Sequence, residues 1–416
     1  MQHRLLALVL SPLFATLVGC AASDEPHDFS PPPSASGDAG VDADPFNSGD
    51  SGPVSANVVG HLTGTVLAPN GTMPVAGALV YLTGQKPSPE PEHVFCDGCV
   101  TLPNGAPHAI ADAKGAFDVG ATQTGSQYIV IQKGGFRKVR EIYVSKGDEK
   151  LPTSLTTLPP RTDLVGGDEV PRMTVVKGGY DEIEASLAKL GIDPSALDMV
   201  ESPLIGQAAK AFLTDAKKVN GRHIIFLPCG DYTQPSPNVD LSTDPTIQAN
   251  LRAFVEAGGR VYATDWHYDF IARTFPGFVN FQGASNTACS GCGKIPYTAN
   301  AKVEDPSLAA WMQGQGLGQF DLQKNYTGIA SVQPTSVTTS SGTKMVTPKV
   351  WVSGSVNGGP VKPATVSFEY GCGRVLFSTY HTEPFSLQLT PQERALLGVL
   401  LEVSVCNDSS SGVIVK

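Results

Sequence analysis

Residues 222–272, RHIIFLPCGDY…TIQANLRAFVEAGGRVYATDWHYDFIA, constrain the fold more than any other stretch. The run 223–227 is short and apolar and is bounded by Pro228 and Gly230, as in a buried parallel strand. Asp244-Pro245 supplies an N-cap and a proline for the first helical turn. Ile247, Leu251, Phe254 and Val255 then fall at i, i+4, i+7 and i+8, one apolar face of a helix. Gly258-Gly259 ends that helix, and residues 261–264 return as a second strand. A strand–helix–strand unit of this kind makes its strands parallel, so a ligand would sit beyond their carboxyl ends. Those ends carry Cys229 and Asp231 on one strand and Asp265 and His267 on the other.

At 416 residues there is room for two domains. A formal charge of −10 with 16% charged residues argues against a nucleic-acid partner and against a basic membrane-binding face. The amino terminus points elsewhere. After His3 and Arg4, residues 5–18 form an apolar run too short to span a bilayer stably, ending in Leu17-Val18-Gly19-Cys20. That ending resembles the lipobox of bacterial lipoproteins. The resemblance implies a signal peptide over 1–20, lipid attachment at Cys20, and a cell-envelope location, with Ala21 pointing to the outer membrane or cell surface. Residues 21–57 are rich in Ser, Asp, Pro and Gly and cannot bury enough surface to offset ordering. They read as a disordered tether.

From 58 to 160 the pattern becomes short β runs between turns, among them 61–68 (ending at Asn70-Gly71), 78–82, 116–119, 128–132 and 141–144. This spacing indicates a small β-sandwich. GTVLAPNG, PVAGALVYL and DAKGAFDV resemble the carboxypeptidase regulatory-like domain, a spacing or binding module without catalysis of its own. Two CxxC pairs, Cys96/Cys99 and Cys289/Cys292, read as local disulfides in an oxidising envelope. Cys229, Cys372 and Cys406 are left without an assigned pairing.

Residues 161–170 read as a polar linker and 171–408 as an α/β domain, with 409–416 as a flexible tail. Residues 173–176 read as a first strand, Asp181 caps a helix with Ile183, Leu187 and Leu190 inward, and 205–219 form another helix. Residues 320–370, rich in Thr, Ser and Val, add β-hairpin structure to one edge. Residues 374–380 form a strand, and Thr390-Pro391-Gln392-Glu393 is a capping box opening the last helix. VEAGGRV and GRVLFSTYHTEP resemble the class I glutamine amidotransferase-like fold, a three-layer relative of flavodoxin-like sheets. The resemblance maps that family's catalytic His-x-Glu onto His381 and Glu383, and its strand-to-helix elbow onto Asp265. The family's nucleophilic cysteine is missing there, so its covalent mechanism has no attacking atom. Over nearly the whole chain, the combination also resembles myxobacterial-type surface lipoproteins.

Two function classes follow. One is a non-catalytic envelope lipoprotein that binds an unknown protein or glycan. The other is an envelope hydrolase or metal-dependent enzyme using Asp265, His381 and Glu383, or a metal held by Cys229, Asp231, Asp265, His267 and His381. A structural reading competes with both: Asp265 caps the helix after its strand while His381 and Glu383 pair on the surface. No cofactor is implied.

Overall fold

A computed structural model describes residues 57–96, 100–102, 106–201, 205–230, 240–282, 297–340, 342–382, 386–402 and 414–415. All of them belong to one compact unit, residues 42–416. Cys20, the tether read over 21–57 apart from its last residue, Cys99, Asp231, Cys289, Cys292, Glu383 and Cys406 lie outside the described residues.

The chain is mixed α/β. Its centre is a nine-stranded sheet. Five parallel strands lie in the spatial order Leu197–Val200, Met173–Val176, Ile224–Leu227, Arg260–Thr264, Gly373–Ser378. Four antiparallel strands continue from the last of these: Lys362–Tyr370, Lys349–Ser355, Tyr297–Val303 and Asp321–Asn325. Of the β-structure expected over 320–370, Asp321–Asn325, Lys349–Ser355 and Lys362–Tyr370 thus extend the main sheet, whereas Thr335–Thr339 and Gly342–Val346 form a separate hairpin and Ile329–Val332 pairs with Val279–Phe281. From Met173–Val176 the chain moves first to one side, then to the other, which makes the gap between that strand and Ile224–Leu227 the topological switch point.

Alternation explains why both faces are covered. Val175, Phe226, Tyr262 and Leu376 join one apolar cluster. Their neighbours Val176, Ile225, Leu227, Val261, Ala263, Val375 and Phe377 join another. Side chains alternate across a strand, so apolar residues at successive positions demand a layer on each side. Helix Pro245–Glu256 supplies one layer through Ile247, Leu251, Phe254 and Val255, all fully buried. Asp244 caps it, accepting from the amides of Thr246 and Ile247. Fully burying one such side chain contributes about 1.5–3 kcal/mol. On the other side lie helices Ile183–Lys189, Pro306–Gly314 and Pro391–Glu402. The capping box opening the last is made: the Thr390 amide donates to Glu393 Oε2 at 2.7 Å, and the Glu393 amide to Thr390 Oγ1 at 3.4 Å.

The amino-terminal region holds a three-stranded sheet built on Gly60–Thr65 and a five-stranded one built on Leu79–Thr83, Gly125–Lys133 and Phe136–Val144. Leu62, Phe117 and Val119 from the first share a cluster with Val80, Leu82, Ile129 and Ile131 from the second. The same cluster contains Val175, Leu187 and Trp311 of the α/β part. Trp311 Nε1 donates to Pro74 O at 3.0 Å, and the Asn70 amide to Leu190 O at 2.8 Å. The two parts therefore share a core.

Four expectations need correction. Residues 161–170 are not a free linker, because Asp168–Glu169 is an edge strand of the five-stranded sheet, with Glu169 paired to Arg137 and Asp168 to Arg140. The helix foreseen over 205–219 is two helices, Ile205–Leu213 and Ala216–Asn220, since Asp215 breaks the first and caps the second. Asp181 caps nothing; position N-cap falls on Glu182, without a side-chain bond. Finally, Cys96 is bonded to Cys372, 276 residues away, rather than to Cys99. The stretch before Cys96 runs along the amino ends of the parallel strands. There His223 Nε2 donates to Pro91 O (2.9 Å), and the Val94 amide to Asn220 O (2.8 Å). Gly258, at φ +117°, lets Phe95 pass so closely that a Cβ would stand 1.9 Å from its carbonyl oxygen. This path delivers Cys96 to Cys372, and tertiary proximity overrides closeness in sequence.

Candidate functional site

Four loops leave the carboxyl ends of the central parallel strands and meet. The loop after Met173–Val176 brings Asp181, that after Ile224–Leu227 brings Cys229, the turn after Arg260–Thr264 brings Asp265, and the end of Gly373–Ser378 leads to His381. Backbone contact sets the first two. The amides of Tyr180 and Asp181 donate to Cys229 O at 3.1 and 3.2 Å. Gly178 and Gly230 make this possible, because a Cβ on Gly230 would lie 2.0 Å from Gly178 backbone atoms.

Asp265 begins the turn Asp265–His267 at φ +45°, a left-handed conformation uncommon outside glycine. Such strain on a sharp strand-to-helix turn is how reactive side chains are presented at a sheet's edge. Asp265 is fully buried and does not cap the following helix. Its Oδ2 lies 2.9 Å from His381 Nε2, within ion-pair range but off the line of a hydrogen bond, and accepts from the Tyr326 amide at 3.2 Å. Oδ1 makes no hydrogen bond among the described residues. Burial pushes the Asp265 carboxyl pKa up, against the pull of His381, the nearby Thr327 hydroxyl and the Tyr326 amide.

His381 is buried too, so the surface pairing considered for it does not hold. Burial favours its neutral ring, but contact with Asp265 and the field of Asp181 together outweigh it, and its pKa lies above the ordinary 6.5. Its carbonyl accepts from Gln392 Nε2 at 2.7 Å, which fixes the backbone. Cys229 is the free cysteine of the described residues. Burial, reinforced by the Asp265 charge, drives its thiol pKa far up, although the Trp266 amide donates to the sulfur. At neutral pH it is a thiol, not a nucleophile.

Asp181 was the unforeseen member. Its Oδ1 accepts from the Thr382 amide (3.0 Å) and hydroxyl (2.5 Å), and its Oδ2 from the Thr264 hydroxyl (2.7 Å). Thr264 Oγ1 accepts in turn from the Cys229 amide at 2.7 Å. One buried carboxylate thus ties three loops together. In sequence, the available signal was an acidic residue closing the first strand's KGGYD loop, which also fits a helix cap. His267 is buried and packs edge-on to Phe270, and it does not belong to the converging set of Cys229, Asp265 and His381. One ligand atom each of Cys229, Asp265 and His381 lie within 4.8 Å of one another. An aromatic row flanks them: Tyr180, 55% exposed, meets Trp266 at 5.5 Å, Trp266 meets Tyr326 at 6.1 Å, and Tyr326 tilts over His381 at 5.2 Å.

No family model matches the chain, and no curated protein matches it. Among solved structures, similarity is distant. A ThuA-like protein from Bacteroides uniformis is 12% identical, at a TM-score of 0.32, covering 58% of this chain and 95% of its own. A cytoplasmic protein from Salmonella typhimurium is 13% identical, at a TM-score of 0.34, covering 67% of this chain and 94% of its own. A beta-galactosidase from Bacillus circulans is 11% identical, at a TM-score of 0.29, covering 56% of this chain and 31% of its own.

Proposed function

We propose that this chain is a lipid-anchored protein of the bacterial cell envelope, at the outer membrane or cell surface, that acts as a non-catalytic binding module. In this reading a carboxypeptidase regulatory-like sandwich is fused to an amidotransferase-like α/β unit. The ligand is a protein or glycan. The carrying observation is the elbow. Its residue is Asp265, engaged by His381, and the neighbouring thiol of Cys229 is held protonated. A base without a nucleophile cannot form a covalent acyl-enzyme. The exposed Tyr180 beside Trp266 offers aromatic surface for a ligand at the same rim. Myxobacterial-type surface lipoproteins remain the resemblance that fits lipobox, tether and both folded parts together.

The test is glutamine hydrolysis by the purified chain beside His381→Ala. No turnover by either is expected; turnover that vanishes in the mutant overturns the reading. Mass spectrometry of the mature amino terminus checks the anchor, with lipid on Cys20 as the expected result. A second reading, a metal-dependent envelope enzyme, is favoured by one observation: Asp265 Oδ1 is buried without a hydrogen bond among the described residues.

A further inference from the structure

We infer that Cys229, Asp265 and His381 form a binding site for a zinc-class divalent ion. The inference goes beyond the proposed function, since it holds whether or not the chain is anchored. The three side chains come from three different strand ends and are each at least nine-tenths buried. Their donor atoms lie within 4.8 Å of one another. A tetrahedral ion with bonds of about 2.0–2.3 Å places its ligands roughly 3.3–3.7 Å apart, so small shifts close the set around it.

One observation points to a ligand rather than to packing: Asp265 Oδ1 is fully buried and makes no hydrogen bond among the described residues, while the other oxygen of the carboxylate faces His381 Nε2 at 2.9 Å. A buried carboxylate oxygen left in this way carries a large desolvation penalty. A cation at the centre of the three donors removes it. The groups behind the donors are already in place. The Trp266 amide supports the sulfur, the Tyr326 amide supports Asp265 Oδ2, and Gln392 fixes the His381 backbone. Supporting contacts of this kind orient metal ligands.

One sulfur, one nitrogen and one carboxylate oxygen suit zinc better than magnesium or calcium, which take oxygen. Three protein donors also leave one coordination position for water or a ligand atom. Binding breaks the Cys229 S–H bond, forms the sulfur–metal bond and releases that proton to solvent, with no change of oxidation state.

The test uses the full chain in detergent, stripped with chelator and titrated with Zn2+ by calorimetry. One ion per chain is expected. Cys229→Ser, Asp265→Asn and His381→Gln should each weaken binding at least tenfold. X-ray absorption at the zinc edge of the unmutated protein is independent of whether the variants fold, and should show one sulfur with nitrogen or oxygen neighbours. No binding, affinity unchanged in all three variants, or a shell of several sulfurs or none would overturn the inference.

Discussion

The amino and carboxyl ends of the parallel strands are furnished with similar residues. At the amino ends stand Cys372, His223, Arg260 and Arg374; at the carboxyl ends stand Cys229, His381, Asp265 and Asp181. The amino-end cysteine is locked to Cys96, and the amino-end histidine is fastened on both nitrogens. The Arg172 amide donates to its Nδ1 at 2.9 Å, which leaves Nε2 to donate to Pro91 O. A cavity of about 280 Å3 opens there, lined by Glu90, Phe95, Arg172, His223 and Arg260, but its histidine is committed to holding a segment in place. At the carboxyl ends the thiol is free, the histidine faces a carboxylate, and an oxygen of that carboxylate is left over. Residue type alone does not distinguish a fastening from a site. Whether the hydrogen-bonding capacity is used up does.

The comparison can be broken most forcefully at the amino ends. Cys96→Ser should lower stability by about 3–5 kcal/mol, because the disulfide closes a loop of 276 residues. Chemical denaturation should show the gap between mutant and parent closing when both are reduced. At the carboxyl ends, Asp181→Ala should cost about 3 kcal/mol, since it strands the Thr264 and Thr382 hydroxyls and the Thr382 amide. Equal stability of mutant and parent would show that this carboxylate is not the tie between the loops.

The smallest effect is the most discriminating, and it concerns pH in chelator-treated protein. Burial, opposed by the carbonyls of Pro91 and His93, lowers the pKa of His223. Its contribution is therefore present above about 6.5 and is lost as pH falls through the lower folded value. The His381 pKa is raised. Its contribution is present below about 6.5 and is lost as pH rises through the higher folded value. Replacing His223 by Gln should flatten the acid side of a stability–pH curve, and replacing His381 by Gln the alkaline side. The same side flattening in both variants would contradict the contrast.

The parallel strands were readable because their periodicity is local. Residues 224–227 and 261–263 are apolar at successive positions, and Asp244-Pro245 marks the helix between them. Convergence of Cys229, Asp265 and His381 was also foreseeable, since strand order alone sends their loops to one edge. Strand Leu197–Val200 was not foreseen, because LDMV at the sheet's edge lacks a continuous apolar run. Asp181 differs from its expected role for a physical reason: an acidic residue before a helix is a good cap, and only three-dimensional packing reveals Thr264 and Thr382 as stronger claimants. The Cys96–Cys372 bond was invisible for the same reason, since CxxC spacing is local and the partner lies 276 residues on.

The bond has a mechanical side. Any tension entering ahead of Cys96 and leaving beyond Cys372 passes directly from sulfur to sulfur. The chain between them, a sequence separation of 276, is bypassed, which withdraws roughly 900–1,000 Å of chain from extension. Cys372 also immediately precedes the strand Gly373–Ser378, whose far end leads to His381. A load on the amino-terminal segment would therefore enter the foot of this strand without first unravelling the strands between.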